Sequence, residues 1–328
     1  MLPTIGIVHP CDGAALQAAQ AIDAAGIARP VLVGVRERIV RAAAAAGVDI
    51  ARFEHVDVEP SSVADDSTPA AASADARKAA HAAVALARDG VLGALMKGSL
   101  HTDELMAAVV RRETGLRGAH RISHVFVFDA PRYPKLLALA DCVVNIAPHL
   151  PAKRDILSNA IGLLQRLGIA HPKVGIVAAI ETVNPSIPAT VDAQALVEMA
   201  RHGAWPGAIV EGPLGFDNAI SSEAARIKGI ASQVAGDADL LLVADLNAGN
   251  ILYKSFVYIG GGECAGIVLG ARVPIVLTSR ADSLTARLAS VALAMLAAPT
   301  TVAGGRIVSA STPDAFVRSG AATTGSPA

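Results

Sequence analysis

Short runs of apolar, often β-branched residues alternate with alanine-rich stretches of helical length along most of the chain, and this alternation limits the fold more than any other feature. Ile5–Val8 breaks into the turn Pro10-Cys11-Asp12-Gly13, Ala14–Ala25 follows as a helix, and Pro30–Gly34 is a second strand. Strand, helix and strand at this spacing place two parallel strands side by side with the helix across one face. The order continues through helix Ala76–Asp89, strand Val91–Met96, a helix opened by Thr102 as N-cap, strand His124–Phe128, helix Lys135–Leu139 and strand Cys142–Ile146. Beyond Pro148–Pro151 it resumes with helix Asp155–Leu167, strand Val174–Ala178, helix Asp192–His202 and strands Ala208–Val210, Leu240–Val243 and Pro274–Leu277. Helix Ser283–Ala297 and a strand near Gly305–Val308 close the pattern. Three polar stretches interrupt it: Glu59–Asp75, Glu211–Ile220 and the turn Asn247–Asn250. The fold class is α/β.

At 328 residues the chain is long enough for two lobes, expected at 1–148 plus 278–328 and at 149–277. A net charge of -1 argues against duplex nucleic acid or an anionic membrane as the main partner, and 3% aromatic residues are too few for base-stacking platforms. Cys11, Cys142 and Cys264 are odd in number and far apart, which fits neither a disulfide framework nor a zinc site. The start, MLPTIGIVHP, is not a secretory signal, and Leu288–Ala298 is too short to span a bilayer. The expectation is a soluble cytoplasmic protein.

A strand that ends abruptly in hydroxyls and an arginine is where α/β proteins place ligands, and Pro274–Leu277 runs into Thr278-Ser279-Arg280-Ala281-Asp282. There Arg280 suits a phosphate or carboxylate fork, Ser279 a hydrogen bond to a developing oxyanion, and Asp282 proton acceptance. The plainer alternative is that Asp282 or Ser283 caps the next helix and Arg280 is a surface residue. Lys97-Gly98-Ser99-Leu100-His101-Thr102 is a second polar strand-to-helix turn that suits an anion but lacks the full P-loop pattern. Arg111 and Arg112 fit either a phosphate contact or an ordinary helix C-terminus. Gly260-Gly261-Gly262-Glu263-Cys264-Ala265 imitates a dinucleotide fingerprint with Asp282 downstream, although Pro274 leaves little room for the helix it needs. Asp237, Asp239 and Asp245 admit a divalent metal but also turns and caps, and no metal is expected.

Six stretches taken in order, MKGSLHTDEL (Met96–Leu105), RISHVFVFD (Arg121–Asp129), VNIAP (Val144–Pro148), EGPLGFDNAIS (Glu211–Ser221), VAGDADLLLVADLNAGNILYK (Val234–Lys254) and VPIVLTSRADS (Val273–Ser283), resemble the phosphate acetyl/butyryltransferase family. The similarity covers about residues 90–295 and is greatest to the phosphate-acyltransferase portion of proteins that also carry an enoyl-CoA hydratase module, which this chain is too short to include. The resemblance implies acyl-CoA + phosphate ⇌ acyl phosphate + coenzyme A, with acyl-CoA and phosphate as substrates and no permanently bound cofactor. It also implies a two-lobed fold like that of isocitrate and isopropylmalate dehydrogenases, a cleft between the lobes, and a homodimer. Ser279, Arg280 and Asp282 become the catalytic candidates, and Lys97, His101, Thr102, Arg112, Asn247, Asn250 and Lys254 the substrate-binding ones. The chain departs from the acetyltransferase pattern at Ala286, where the family has an acidic residue, so Asp282 or a group elsewhere must act as base. An NAD(P)-dependent dehydrogenase of the same fold and a non-catalytic acyl-CoA-binding protein are the alternatives.

Overall fold

The computed structural model describes residues 2–62, 68–277 and 282–298. Its elements in chain order are β1 (Thr4–Val8), α1 (Gly13–Ala24), β2 (Arg29–Gly34), α2 (Arg36–Ala46), β3 (Glu54–Asp57), α3 (Pro69–Arg88), β4 (Ala94–Lys97) and α4 (Thr102–Val109). Next come β5 (Ser123–Asp129), β6 (Leu137–Ala140), α5 (Leu150–Arg166), β7 (Lys173–Val177), α6 (Pro188–Arg201), β8 (Ile209–Leu214), α7 (Phe216–Ile220) and α8 (Ser222–Ile227). The last are β9 (Leu240–Leu242), α9 (Leu246–Tyr258), β10 (Glu263–Leu269), β11 (Ile275–Val276) and α10 (Leu284–Ala297).

The strands of the described residues form one 11-stranded sheet in the order β3-β2-β1-β4-β11-β10-β5-β6-β9-β7-β8. The first five are mutually parallel; β10 reverses, β5 reverses again, and β6, β9, β7 and β8 run opposite to the first five. The sheet is therefore two parallel wings joined through the long antiparallel pair β10–β5, which keeps seven residue pairs in register from Glu263↔Asp129 to Leu269↔Ser123. The mainly parallel wings are covered on both faces, which is why strands such as Thr4–Val8 and Leu240–Leu242 are buried along their whole length.

Alternation along β10 divides the core. Ile267 and Leu269 pack with Val291, Leu293 and Ala294 of α10 on one face. Val268 faces the other way, into the cluster formed with Ala79, Ala83, Leu105 and Leu95 of α3, α4 and β4. On that second face the opposite wing supplies a separate cluster around Phe128, Leu139 and Leu241, packed under Tyr253 and Phe256 of α9.

Several local expectations are corrected. Lys135–Leu139 is not a helix: Leu137–Ala140 is β6, wholly buried and paired with both β5 and β9. A short apolar run has no decisive period, and burial between two strands decides it. Cys142–Ile146, read as a strand, is an irregular, bent segment. The Asn247–Asn250 turn is instead the start of α9, capped by Asp245, whose carboxylate accepts from the Ala248 N–H at 3.0 Å. Glu211–Ile220 continues β8 and then forms α7. His101 rather than Thr102 holds the N-cap position of α4, where the Glu104 carboxylate accepts from the His101 N–H at 2.9 Å. The strand expected near Gly305–Val308 lies outside the described residues.

Candidate active site

In the first wing the strand order changes direction between β1 and β4, and ligands of α/β proteins bind at the carboxyl ends of strands at such a switch point. The turn after β4 sits here. Gly98 N–H donates to the Val8 carbonyl and Ser99 N–H to the His9 carbonyl, both at 2.9 Å, while Ser99 Oγ donates to Asp12 at 2.8 Å. The other oxygen of Asp12 caps α1 by accepting from the Ala15 N–H at 2.8 Å. The backbones approach so closely that a Cβ on Gly98 would lie 2.4 Å from the Val8 oxygen and 2.8 Å from the His9 oxygen. Gly98→Ala is therefore expected to cost about 1–3 kcal/mol and to displace Lys97. Urea midpoints and the Michaelis constants of both substrates should all move; an unshifted midpoint would show that the turn has room.

β11 lies beside β4 with Ile275 opposite Leu95 and Val276 opposite Met96. Carried one residue further, this register sets Lys97 next to Leu277, which leads directly into Thr278-Ser279-Arg280-Ala281. Ser279 and Arg280 themselves lie outside the described residues. Lys97 is half-buried, its ammonium donating to the carbonyl of Leu100 at 3.2 Å and of Gly98 at 3.4 Å, so it is held near the strand end.

Helix α9 forms a second wall. It can lie low on the sheet because Gly249 has no side chain; a Cβ there would meet the Asp141 oxygen at 2.7 Å. Tyr253 stacks on Phe126 of β5 with ring centres 4.2 Å apart and planes 9° from parallel, and Phe256 sets its edge on Phe128 at 5.1 Å. These contacts bring the C-terminal part of α9 back to the carboxyl end of β5, where Gly262 N–H donates to the Phe256 carbonyl at 2.9 Å. Asn247, Asn250 and Lys254, spaced i, i+3 and i+7, share one face of the helix. Asn250 reaches the Cys142 carbonyl at 3.3 Å, whereas Asn247 and Lys254 are exposed.

Asp282 closes the arrangement. Burial, together with its negative charge, pushes the Tyr253 hydroxyl up to about 12 and the Cys264 thiol up to about 11. Both groups therefore stay protonated at neutral pH, and Cys264 is no nucleophile. Ser283, the N-cap of α10, accepts from the Ala286 N–H at 3.0 Å, so the plainer capping role falls to Ser283.

Between these walls the strands carry a group that residue patterns did not single out. His124 of β5 is 2% exposed, its ring packs at 4.3 Å from Phe126, and its Nδ1 has no partner among the described residues. Gly266 opposite Phe126 leaves room for both rings: a Cβ there would lie 2.6 Å from Phe126 and 2.9 Å from His124. Burial drives the His124 pKa down to about 4, with the charge of Asp141 opposing. Asp141 is buried and accepts from the N–H groups of Val143 and Val144 and from Asn145, whose own oxygen accepts from Arg121 at 2.6 Å. A lone histidine in an apolar strand and an aspartate after β6 give no pattern to search for.

The remaining sequence candidates separate. His101 and Thr102 are exposed at the start of α4, and Arg112 is exposed two residues beyond the Val110 C-cap of that helix. Asp237 pairs with Lys135 and Lys173 at 2.8 and 2.5 Å, and Asp239 with Lys135 at 2.6 Å, so those carboxylates serve as ion pairs. Gly260–Gly262 follow a helix and precede strand β10, the reverse of the strand–glycine–helix order a dinucleotide fingerprint needs.

Comparisons with known proteins bear on the same segments. The chain is 50% identical over 295 residues to a phosphate acetyltransferase of Rhizobium meliloti, covering 90% of this chain and 89% of that one. It is 38% identical over 287 residues to a phosphate butyryltransferase of Clostridium acetobutylicum, covering 88% and 90%. In three dimensions it is similar to a branched-chain phosphotransacylase from Enterococcus faecalis V583, with a TM-score of 0.77 at 29% identity over 90% of this chain and 99% of that one. Residues 7–295 match the family described as phosphate acetyl/butaryl transferase, a span that takes in every segment of the site just described, and the chain belongs to that family.

Proposed function

We propose that residues 278–282, the turn after Lys97 and helix α9 together form the site of acyl transfer between coenzyme A and inorganic phosphate. The protein is an acyltransferase of the phosphate acetyl/butyryltransferase type, reversibly converting acyl-CoA and phosphate to acyl phosphate and coenzyme A. The observation that carries the site reading is the β4–β11 register, which sets Lys97 beside the entry to Ser279-Arg280.

A phosphate oxygen attacks the thioester carbonyl, the carbonyl oxygen becomes an oxyanion, and the carbon–sulfur bond then breaks to release the coenzyme A thiolate. Arg280 and Lys97 hold the phosphate against the carbonyl, and a fixed orientation removes much of the entropic part of the barrier. Ser279 donates to the oxyanion. In the reverse direction the thiol loses its proton as its sulfur attacks the acyl phosphate, and Asp282 receives it. Ala286 lies in the first turn of α10, four residues past Asp282, so a carboxylate at either position stands at the same helix end. His101, Thr102, Arg112, Asn247, Asn250 and Lys254 are assigned to contacts with the remainder of coenzyme A. A division into two lobes along the wings of the sheet, with β10 and β11 in the first and β6 in the second, and a homodimer in the cytoplasm belong to the same reading and rest on the family. No helix of the described residues is long and apolar enough to cross a membrane.

The test is coenzyme A release from acetyl-, propionyl- and butyryl-CoA with and without inorganic phosphate. Strictly phosphate-dependent release is expected, with the three rates ranking the acyl chains. Coenzyme A binding without release from any of them would leave a binding protein that kept the fold and lost the chemistry.

A further inference from the structure

At the end of the sheet opposite Lys97 and Leu277, where β10 finishes and β5 and β11 begin, the described residues line an open cavity of about 250 Å³. Arg166, from the last turn of α5, and Arg272, from the β10–β11 connection, both line it. Neither guanidinium makes a hydrogen bond or ion pair among the described residues, and no carboxylate belongs to the lining. His120 adds a third nitrogen group, its ring 3.9 Å from Asp155, which is itself held by Arg154 at 2.9 Å and by the Arg121 N–H at 3.2 Å. Two exposed arginines alone are ordinary surface chemistry; two that line one concavity with no carboxylate among its described lining residues are not.

A separate feature concerns the wall. Gly162 lines the cavity from the interior of α5, where glycine costs about 1 kcal/mol relative to alanine. A Cβ on Gly162 would meet nothing within 4 Å, so no packing contact calls for glycine. Its effect is to keep the cavity open. On the opposite side Gly270, with φ of 84°, turns the chain tightly under Arg121, where a Cβ would lie 2.4 Å from the Arg121 carbonyl oxygen.

We propose that this cavity is a second ligand site, which binds a small organic dianion, a dicarboxylate or a phosphorylated carboxylate, with one oxyanionic group on Arg166 and the other on Arg272. Guanidinium forks match both carboxylate and phosphate oxygens. The volume lies just below the roughly 300–1,000 Å³ of drug-sized ligand pockets, which suits a compact metabolite. The cavity is also lined by Ala297 and Pro274, at the far ends of the same helix and strand that border residues 278–281.

Calorimetric titration of the full chain with succinate and with phosphoglycolate tests the site. Saturable one-to-one binding of at least one probe is expected in the native protein and, unchanged, in Arg280→Ala. It should weaken at least 10-fold in Arg166→Ala/Arg272→Ala, with phosphate-dependent coenzyme A release in the absence of probe unaltered. Gly162→Leu should weaken it as much, with a thermal midpoint no lower than that of the native protein. The probe that binds identifies the second oxyanion. Binding of neither probe, undiminished binding in the double variant or in Gly162→Leu, or binding lost only in Arg280→Ala would each overturn the proposal, the last by assigning the probe to the transfer site.

Discussion

Arg280→Ala is expected to lower phosphate-dependent acyl transfer by about 100-fold or more, the scale seen when one positioned donor to a developing charge is removed. The expectation follows from position and chemistry together. Arg280 follows β11 by four residues, and the β4–β11 register brings that strand end beside Lys97. An inorganic phosphate is a mixture of mono- and dianion at neutral pH and repels the phosphates of coenzyme A, so the site must supply cations that fix its attacking oxygen. A bidentate fork does this where a point charge does not, so Arg280→Lys should recover only part of the loss. Circular dichroism and the thermal midpoint, measured alongside, should match those of the native protein. Steady-state rates as a function of phosphate provide the check: near-normal turnover with a normal phosphate Michaelis constant would take Arg280 out of the site.

The second large effect is on stability in acid. Burial holds the folded-state pKa of His124 at about 4, against 6.5 for an unperturbed histidine. The unfolded chain therefore binds a proton more readily than the folded one between those values. The sign follows: stability is full above pH 6.5 and falls as pH drops towards 4. With about 1.4 kcal/mol per pKa unit, the protonation of His124 costs on the order of a few kcal/mol over that range. His9 and His55, also lowered chiefly by burial, add in the same direction. The carboxylates of Asp155, Asp217 and Asp237, whose pKa values lie below the usual 3.8, weaken the fold only at still lower pH. Urea midpoints from pH 7.5 to 4.5 should fall steeply for the native protein and less steeply for His124→Gln. An equal slope in the two proteins would show that the buried ring is not the source.

Much of the architecture is legible in residue order. Alternating apolar runs and alanine-rich helices give α/β, and the strands Ile5–Val8, Pro30–Gly34, His124–Phe128 and Pro274–Leu277 fall on or within a residue or two of β1, β2, β5 and β11. The failures share a cause. Leu137–Ala140 and Asn247–Asn250 are short segments whose local preference is weak, and each takes its form from what surrounds it: two flanking strands in the first case, and in the second the Asp141 turn together with a helix held further along by the Phe126 and Phe128 rings.

The same division holds for the site. Residue types and spacing alone determine that hydroxyls, an arginine and a carboxylate follow β11, that a lysine ends β4, and that long motifs occur in the order of one acyltransferase family. Tertiary structure alone decides that these two strand ends are neighbours, because β4 and β11 are about 180 residues apart in sequence and meet only through the sheet order. It also decides that Asp282 acts on Tyr253 and Cys264, that His124 is buried and uncharged, and that Arg166 and Arg272 face one cavity. Burial, register and convergence are relations between distant residues, and no local pattern encodes them.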